Sequence, residues 1–295
     1  MNITIIGAGA IGLLMGAKLS SSGHTITMVT RREDQAYELQ QKGIRYRSGN
    51  KEETYEVNAS TSLSAQTDLV IVAVKAHAVR EVISSITHTY TARMTPELLF
   101  IQNGMEHVRY LTSLVQPVSV GTVEHGAKKR NDISVLHTGE GSLKVSSYSG
   151  RSPFIEALKD SLSIEFKDNW YKLLAEKLII NCGINPLTAL FQISNGELLT
   201  NPRFFGLLRE LIKESSKVLD LEFEESWNRV QQVCKLTAAN TSSMLADVSA
   251  GRRTEIDAIS GFVLKEASFK GVDVPFTRFV FDAIKGLELM MEERM

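Results

Sequence analysis

Asn2-Ile-Thr-Ile-Ile-Gly7-Ala8-Gly9-Ala10-Ile11-Gly12 decides the fold. Asn2 to Ile6 is a short apolar run rich in isoleucine and reads as a buried strand. Leu13 to Ser22 follows with a helical pattern that stops at Gly23, and Thr25 to Val29 forms a second strand. Strand, glycine turn, helix and strand is the context that a dinucleotide-binding fingerprint requires. Gly7 permits the tight turn, Gly9 lets the backbone approach a pyrophosphate, and Gly12 lets the helix pack against the strand. Ala8, Ala10 and Ile11 complete the loop. The helix start then offers free N–H groups and a positive dipole end to the phosphates.

Further along, the second strand ends Thr30-Arg31-Arg32. A guanidinium suits a 2′-phosphate, since it is planar and permanently charged. Arg31 therefore favours NADPH. Glu33 and Asp34 follow directly, and an acidic residue here would favour the ribose hydroxyls of NADH. Asp68 to Val74 reads as a central strand that places Lys75 at its C-terminal end, where open α/β sheets bind ligands. Leu98 to Gln102 does the same for Asn103, although Asn103-Gly104 is also an ordinary turn signal. His77 and His107 read as surface or helix-start residues. Ile44–Arg47 and Thr54–Asn58 read as a two-strand insertion. Val118–Glu124, Ser134–Thr138 and Ser142–Ser147 alternate like antiparallel strands and are expected to extend the sheet. Gly121 to Gly126 has no assigned chemistry.

Near Gly150 the texture changes, and beyond Lys167 the periodicity is almost wholly helical. The expected fold class is α/β, with a Rossmann-type dinucleotide-binding domain over 1–167 and a helical substrate domain over 168–295. Within the second part, Lys177, Asn181 and Asn185 are spaced four and four, so they share one face of a helix. Leu178, Ile179, Ile180, Cys182 and Ile184 surround them. A buried polar row needs internal partners or a polar ligand; both readings stand, with Pro186 near the expected helix end. Asn240-Thr-Ser-Ser243 and Thr254-Glu255-Ile256-Asp257 both resemble helix caps, and both could seat a substrate carboxylate.

The chain has 295 residues, enough for two domains, with 43% hydrophobic and 23% charged residues. A formal net charge of -1 gives no footprint for nucleic acid or an anionic membrane. Cys182 and Cys234 lack zinc-like spacing and are too few for a disulfide framework, and no metal-ligand cluster is visible. A cytoplasmic, reduced setting is expected, since the opening residues lack a leader's basic segment. The longest uncharged apolar run, Leu69 to Val74, is too short to cross a membrane. The apolar C-terminal helix would serve as core or dimer face, so a monomer or homodimer is expected.

Together these motifs resemble the ketopantoate reductase (2-dehydropantoate 2-reductase) family over essentially the whole chain. The most specific are Lys177-x-x-x-Asn181-x-x-x-Asn185-Pro, Asn240-Thr-Ser-Ser243 and Thr254-Glu255-Ile256-Asp257. The resemblance implies NADPH-dependent reduction of a small 2-oxo acid, 2-dehydropantoate, to (R)-pantoate. It implies Lys177 as general acid, and Asn181, Asn185, Asn240 and Ser243 as substrate contacts. Glu255 matches the acidic residue that holds the substrate and the active-site geometry. Lys75, Asn103 and Glu255 fall at cofactor positions, Asn103 also at a substrate position, and Arg31 matches the 2′-phosphate contact. A reductase of another 2-oxo acid or an imine would keep the lysine and the cofactor site. An NADPH sensor would keep only the nucleotide site.

Overall fold

The computed structural model describes residues 1–91 and 95–293. Its contacts divide the chain into two compact units, Met1–Gln102 with His107–Leu173, and Asn103–Glu106 with Leu174 onward. The first unit runs β1 (Asn2–Ile6), α1 (Ala10–Ser21), β2 (Thr25–Val29), α2 (Glu33–Lys42), β3 (Ile44–Ser48), β4 (Lys51–Tyr55), β5 (Asn58–Ser60) and β6 (Leu69–Val72). It continues through α3 (Val79–Thr89), β7 (Glu97–Phe100), α4 (Val108–Leu111), β8 (Val118–Val123), β9 (Gly126–Asn131), β10 (Ser134–Gly139), β11 (Leu143–Ser149), α5 (Pro153–Ala157) and β12 (Ile164–Phe166).

Eight strands form one sheet in the order β12-β11-β8-β7-β6-β1-β2-β5. From β8 to β5 every neighbour runs parallel. Helices cover both faces of such a sheet, so its inner strands can be apolar throughout. Accordingly β6 and β7 are buried at every position, and β1 at all but its first. The order reverses at β1, with β2 on one side and β6 on the other. Ligands bind at such a switch point, outside the carboxyl ends of the strands.

The strands expected to extend this sheet divide between two sheets. β8 joins it parallel to β7, and β11 closes antiparallel on β8. β10 instead belongs to a second sheet, β4-β3-β10-β9, where it runs parallel to β3 and antiparallel to β9. The supposed insertion β3–β4 is thus half of a four-stranded layer. In β10 only Val135 and His137 are buried, so it has one face to cover and fits a two-layer arrangement. α1 supplies that cover, contacting β3, β9 and β10.

The second unit is helical: α6 (Trp170–Phe191, which begins within the first unit's residues), α7 (Glu197–Thr200), α8 (Pro202–Val218), α9 (Phe223–Leu236), α10 (Ser243–Ser249), α11 (Ser260–Lys270) and α12 (Pro275–Glu292). Pro186 lies inside α6 rather than at its end. Cys182 and Cys234 are free and buried. Among the described residues no helix is long and apolar enough to cross a membrane.

One buried group ties the first unit to pH. His107 sits at the start of α4 but is only 2% exposed, against the expected surface position. Its ring stacks on Phe100 with centroids 6.2 Å apart, and neither ring nitrogen has a partner. Burial pushes its pKa down to about 4. An unfolded imidazole titrates near ~6.5, so the unfolded chain takes up the proton first as pH falls. Stability due to the neutral ring is therefore complete above that value and is lost progressively towards about 4. His107→Phe keeps a flat ring and removes two unpartnered nitrogens. Its melting temperature should match or exceed wild type at pH ~7.5 and fall less on acidification to pH ~5. An unchanged acid slope would refute this.

Candidate functional site

The glycine loop has the shape that a pyrophosphate cradle needs. Gly7 holds φ +105, and a Cβ there would meet Val74 at 2.9 Å and the Ala73 backbone at 3.0 Å. A Cβ on Gly12 would lie 1.8 Å from the Gly7 carbonyl oxygen, so α1 reaches β1 only because residue 12 has no side chain. Gly9 is the N-cap of α1, and the space beside it is open, with nothing within 4 Å. No side chain caps α1 and its first turn carries no acidic residue. Its first N–H groups are thus left for an anion. These residues fit a dinucleotide's phosphates.

Gln35 also shapes the loop, and no sequence signal marked it. It is buried, and its Nε2 donates to the Ala8 carbonyl at 3.1 Å and to the Asp132 carbonyl at 2.8 Å. Asp132 settles which arginine is available. Its carboxylate pairs with Arg32 and with Lys129, and Arg32 also lies 3.4 Å from Asp34. Arg31 follows the buried Thr30, is exposed, and takes part in no ion pair among the described residues. Lys75 follows β6 and caps a short 3-10 turn, Ala76–Ala78, in a half-buried position.

In the second unit the polar row lies on α6 as the spacing predicts. Asn181 is 8% exposed, Asn185 6%, and Lys177 is half-buried. Nδ2 of Asn181 is buried without a hydrogen-bond partner. Such a donor costs ~1–3 kcal/mol if left so, which makes it a place for a ligand acceptor. One turn beyond Asn185, Thr188 is fully buried; its Oγ1 donates to the Ile184 carbonyl at 2.8 Å and lies 2.7 Å from Ser242 Oγ. Ser242 accepts from Leu245 N–H at 3.1 Å and is the N-cap of α10. Ser243 is the first helical residue and is exposed, as is Asn240.

Thr254-Glu255-Ile256-Asp257 does not begin a helix, contrary to the expected capping box. α11 starts at Ser260, because the Thr254 hydroxyl bonds Glu288 rather than a helix N–H three residues on. The intervening turn presents Glu255, whose Oε2 accepts from Asn103 Nδ2 at 3.0 Å. Gly104 makes this possible: at φ +77, a Cβ there would be 2.4 Å from the Ala258 carbonyl oxygen. Asn103-Gly104 therefore belongs to the second unit as well as forming a turn. Lys177, Asn181, Asn185, Ser243, Glu255 and Asn103 all belong to this unit; the glycine loop, Arg31 and Lys75 belong to the first.

His125, His137 and Glu140 form a group with metal-ligand chemistry, which the sequence reading did not see because the hairpin β9–β10 creates it. Three of its four ring nitrogens already have partners, and His125 Nε2 is buried without one. Tyr46 O–H donates to His137 Nδ1 at 2.8 Å in the tautomer that lets His137 Nε2 donate to His125 Nδ1 at 3.1 Å. Gly141 N–H also donates to His125 Nδ1, at 3.2 Å. Burial first, then the charges of Lys18 and His137, holds His125 down at about 4, so it is neutral at pH 7. The geometry is that of a structural chain of hydrogen bonds.

The family model described as Ketopantoate reductase PanE/ApbA matches residues 3–150, and its C-terminal counterpart matches residues 169–288. The chain is 42% identical to the 2-dehydropantoate 2-reductase of Bacillus subtilis over 98% of both chains. The crystal structure of the probable 2-dehydropantoate 2-reductase of that organism superposes with a TM-score of 0.87, covering 98% of this chain and 100% of the other. A ternary structure of D-mandelate dehydrogenase with NADH and anilino(oxo)acetate reaches 0.91 at 22% identity over 99% and 100%, which speaks to the fold alone.

The Gly7–Gly12 approach yields a test. Gly12→Ala must push α1 off β1, and overpacking of this kind costs ~1–3 kcal/mol, or roughly tenfold to hundredfold in dinucleotide affinity. Fluorescence titration with NADPH and with NADH should show both weakened. Unchanged affinity for both would show that the loop tolerates the shift.

Proposed function

The chain belongs to the ketopantoate reductase family, and on that premise we propose that it reduces 2-dehydropantoate to (R)-pantoate with NADPH, a step towards pantothenate and coenzyme A. The observation that carries the reading is the α6 row, with its unpartnered Asn181 amide on an otherwise apolar helix. When bound, the nicotinamide supplies a hydride to the ketone carbon. The carbonyl π pair then moves onto oxygen as negative charge. Lys177 stabilises that charge and gives the oxygen a proton from Nζ, and solvent restores the ammonium. Asn181 and Asn185 donate to substrate oxygens without adding charge. Ser243 and Asn240 meet the carboxylate. Glu255, held by Asn103, accepts from the substrate hydroxyl. Lys75 and Asn103 line the nicotinamide, and Arg31 meets the 2′-phosphate. A cytoplasmic setting suits two free thiols.

Initial rates of NADPH oxidation against a panel of 2-oxo acids test the activity. 2-Dehydropantoate should give the highest kcat/KM, and a better rate with another acid would reassign the substrate. In Lys177→Ala, NADPH binding and melting temperature should be retained while kcat falls by ~10²–10⁴, the usual worth of a positioned acid. Lys177→Arg should not rescue it, because guanidinium scarcely gives up its proton. Near-normal turnover in the alanine variant would make the row structural.

Cofactor choice has its own test. Arg31→Ala should raise the KM for NADPH by roughly tenfold to hundredfold, the loss of a charge-assisted hydrogen bond, and leave NADH nearly unaffected. Equal wild-type efficiency with both cofactors would remove the role given to Arg31.

A further inference from the structure

Glu255 lies in a turn, not a helix, so something other than a helical ladder must fix its direction. Thr254, on one side, is 2% exposed. Its backbone N–H and its hydroxyl both donate to one oxygen of Glu288, at 2.8 and 2.7 Å. Glu288 is itself 5% exposed on α12, and its other oxygen accepts from Lys285 Nζ at 2.8 Å. On the other side, Ile256 N–H donates back to the Thr254 hydroxyl oxygen at 3.2 Å. The Glu255 carbonyl accepts from the N–H groups of Ala258 at 3.0 Å and Ile259 at 3.1 Å. The backbone of residue 255 is thus held before, at and after its Cα, and the side chain reaches Asn103 from that fixed base.

A buried carboxylate is a costly way to hold a loop; an apolar pair of similar volume often packs as well or better. What the carboxylate adds is direction, since one oxygen receives two donors from one residue and a lysine fixes the other. We propose that Glu288 and Thr254 are positioning residues for the reduction: a buried clamp that aims the Glu255 carboxylate through the backbone without touching substrate. This rests on the role given to Glu255 above.

The test compares Thr254→Val, which keeps the shape and loses the hydroxyl, with Thr254→Ser, which keeps the hydroxyl, and with Glu288→Gln, which loses the charge. Steady-state kinetics with NADPH and 2-dehydropantoate, NADPH titration and melting curves are measured on the full chain, beside Glu255→Gln. Thr254→Val should lose at least ~10-fold in kcat, since small misplacements of a reacting group cost that much or more. Its NADPH affinity should be unchanged, and Thr254→Ser should recover most of the rate. Glu288→Gln should also lower kcat, and it decides the matter if Thr254→Val does not fold. Wild-type kcat in folded Thr254→Val and Glu288→Gln, with only a lower melting temperature, would overturn the clamp while an impaired Glu255→Gln upheld the role of Glu255. Normal turnover in Glu255→Gln would remove that role, and the clamp with it.

Discussion

No side chain fits between the first turn of α1 and the end of β1. The Gly7 carbonyl oxygen occupies the place where a Cβ at residue 12 would stand, 1.8 Å away. This one steric fact sets the distance from helix to sheet. The same helix also contacts β3, β9 and β10, so both sheets pack on it. Gly16 continues the same seam, since a Cβ there would lie 2.7 Å from Ile44. The dinucleotide cradle and the second layer are two consequences of one narrow helix.

The second unit is governed by a different constraint, the cost of polar groups without water. α6 is apolar enough to be buried, yet it carries a row of amides. Where a partner exists inside the unit, the chain supplies it: Ser242 for Thr188, Asn103 for Glu255. Nδ2 of Asn181 has no such partner, and its desolvation is left uncompensated.

What could be read from the sequence was local. The glycine loop, the end of β2 and the four-residue spacing on α6 are each fixed by neighbours within a dozen positions, and the structure places them as read. What escaped was set by distant partners. β10 belongs to a second sheet because it pairs with β3, some ninety residues earlier. Arg32 is occupied by Asp132, 100 residues on, a choice invisible beside Arg31 in the string. Thr254 looked like a cap because caps are local, but its hydroxyl serves Glu288, 34 residues away. His107 is a local exception: it sits at a helix start as expected, and the ring that buries it, Phe100, is only seven residues earlier, across a turn that carries no periodicity.

The two thiols give the second unit an internal clock. Cys182 lies on α6 one residue after Asn181, Cys234 on α9, and burial raises both to about 12. At neutral pH almost no thiolate exists in the closed state, and neither sulfur is accessible, so alkylation requires the helices to part. The rate of thiol modification therefore counts opening events rather than intrinsic reactivity. Anything that binds only the closed form of this unit slows that rate by a factor of 1 + [L]/Kd.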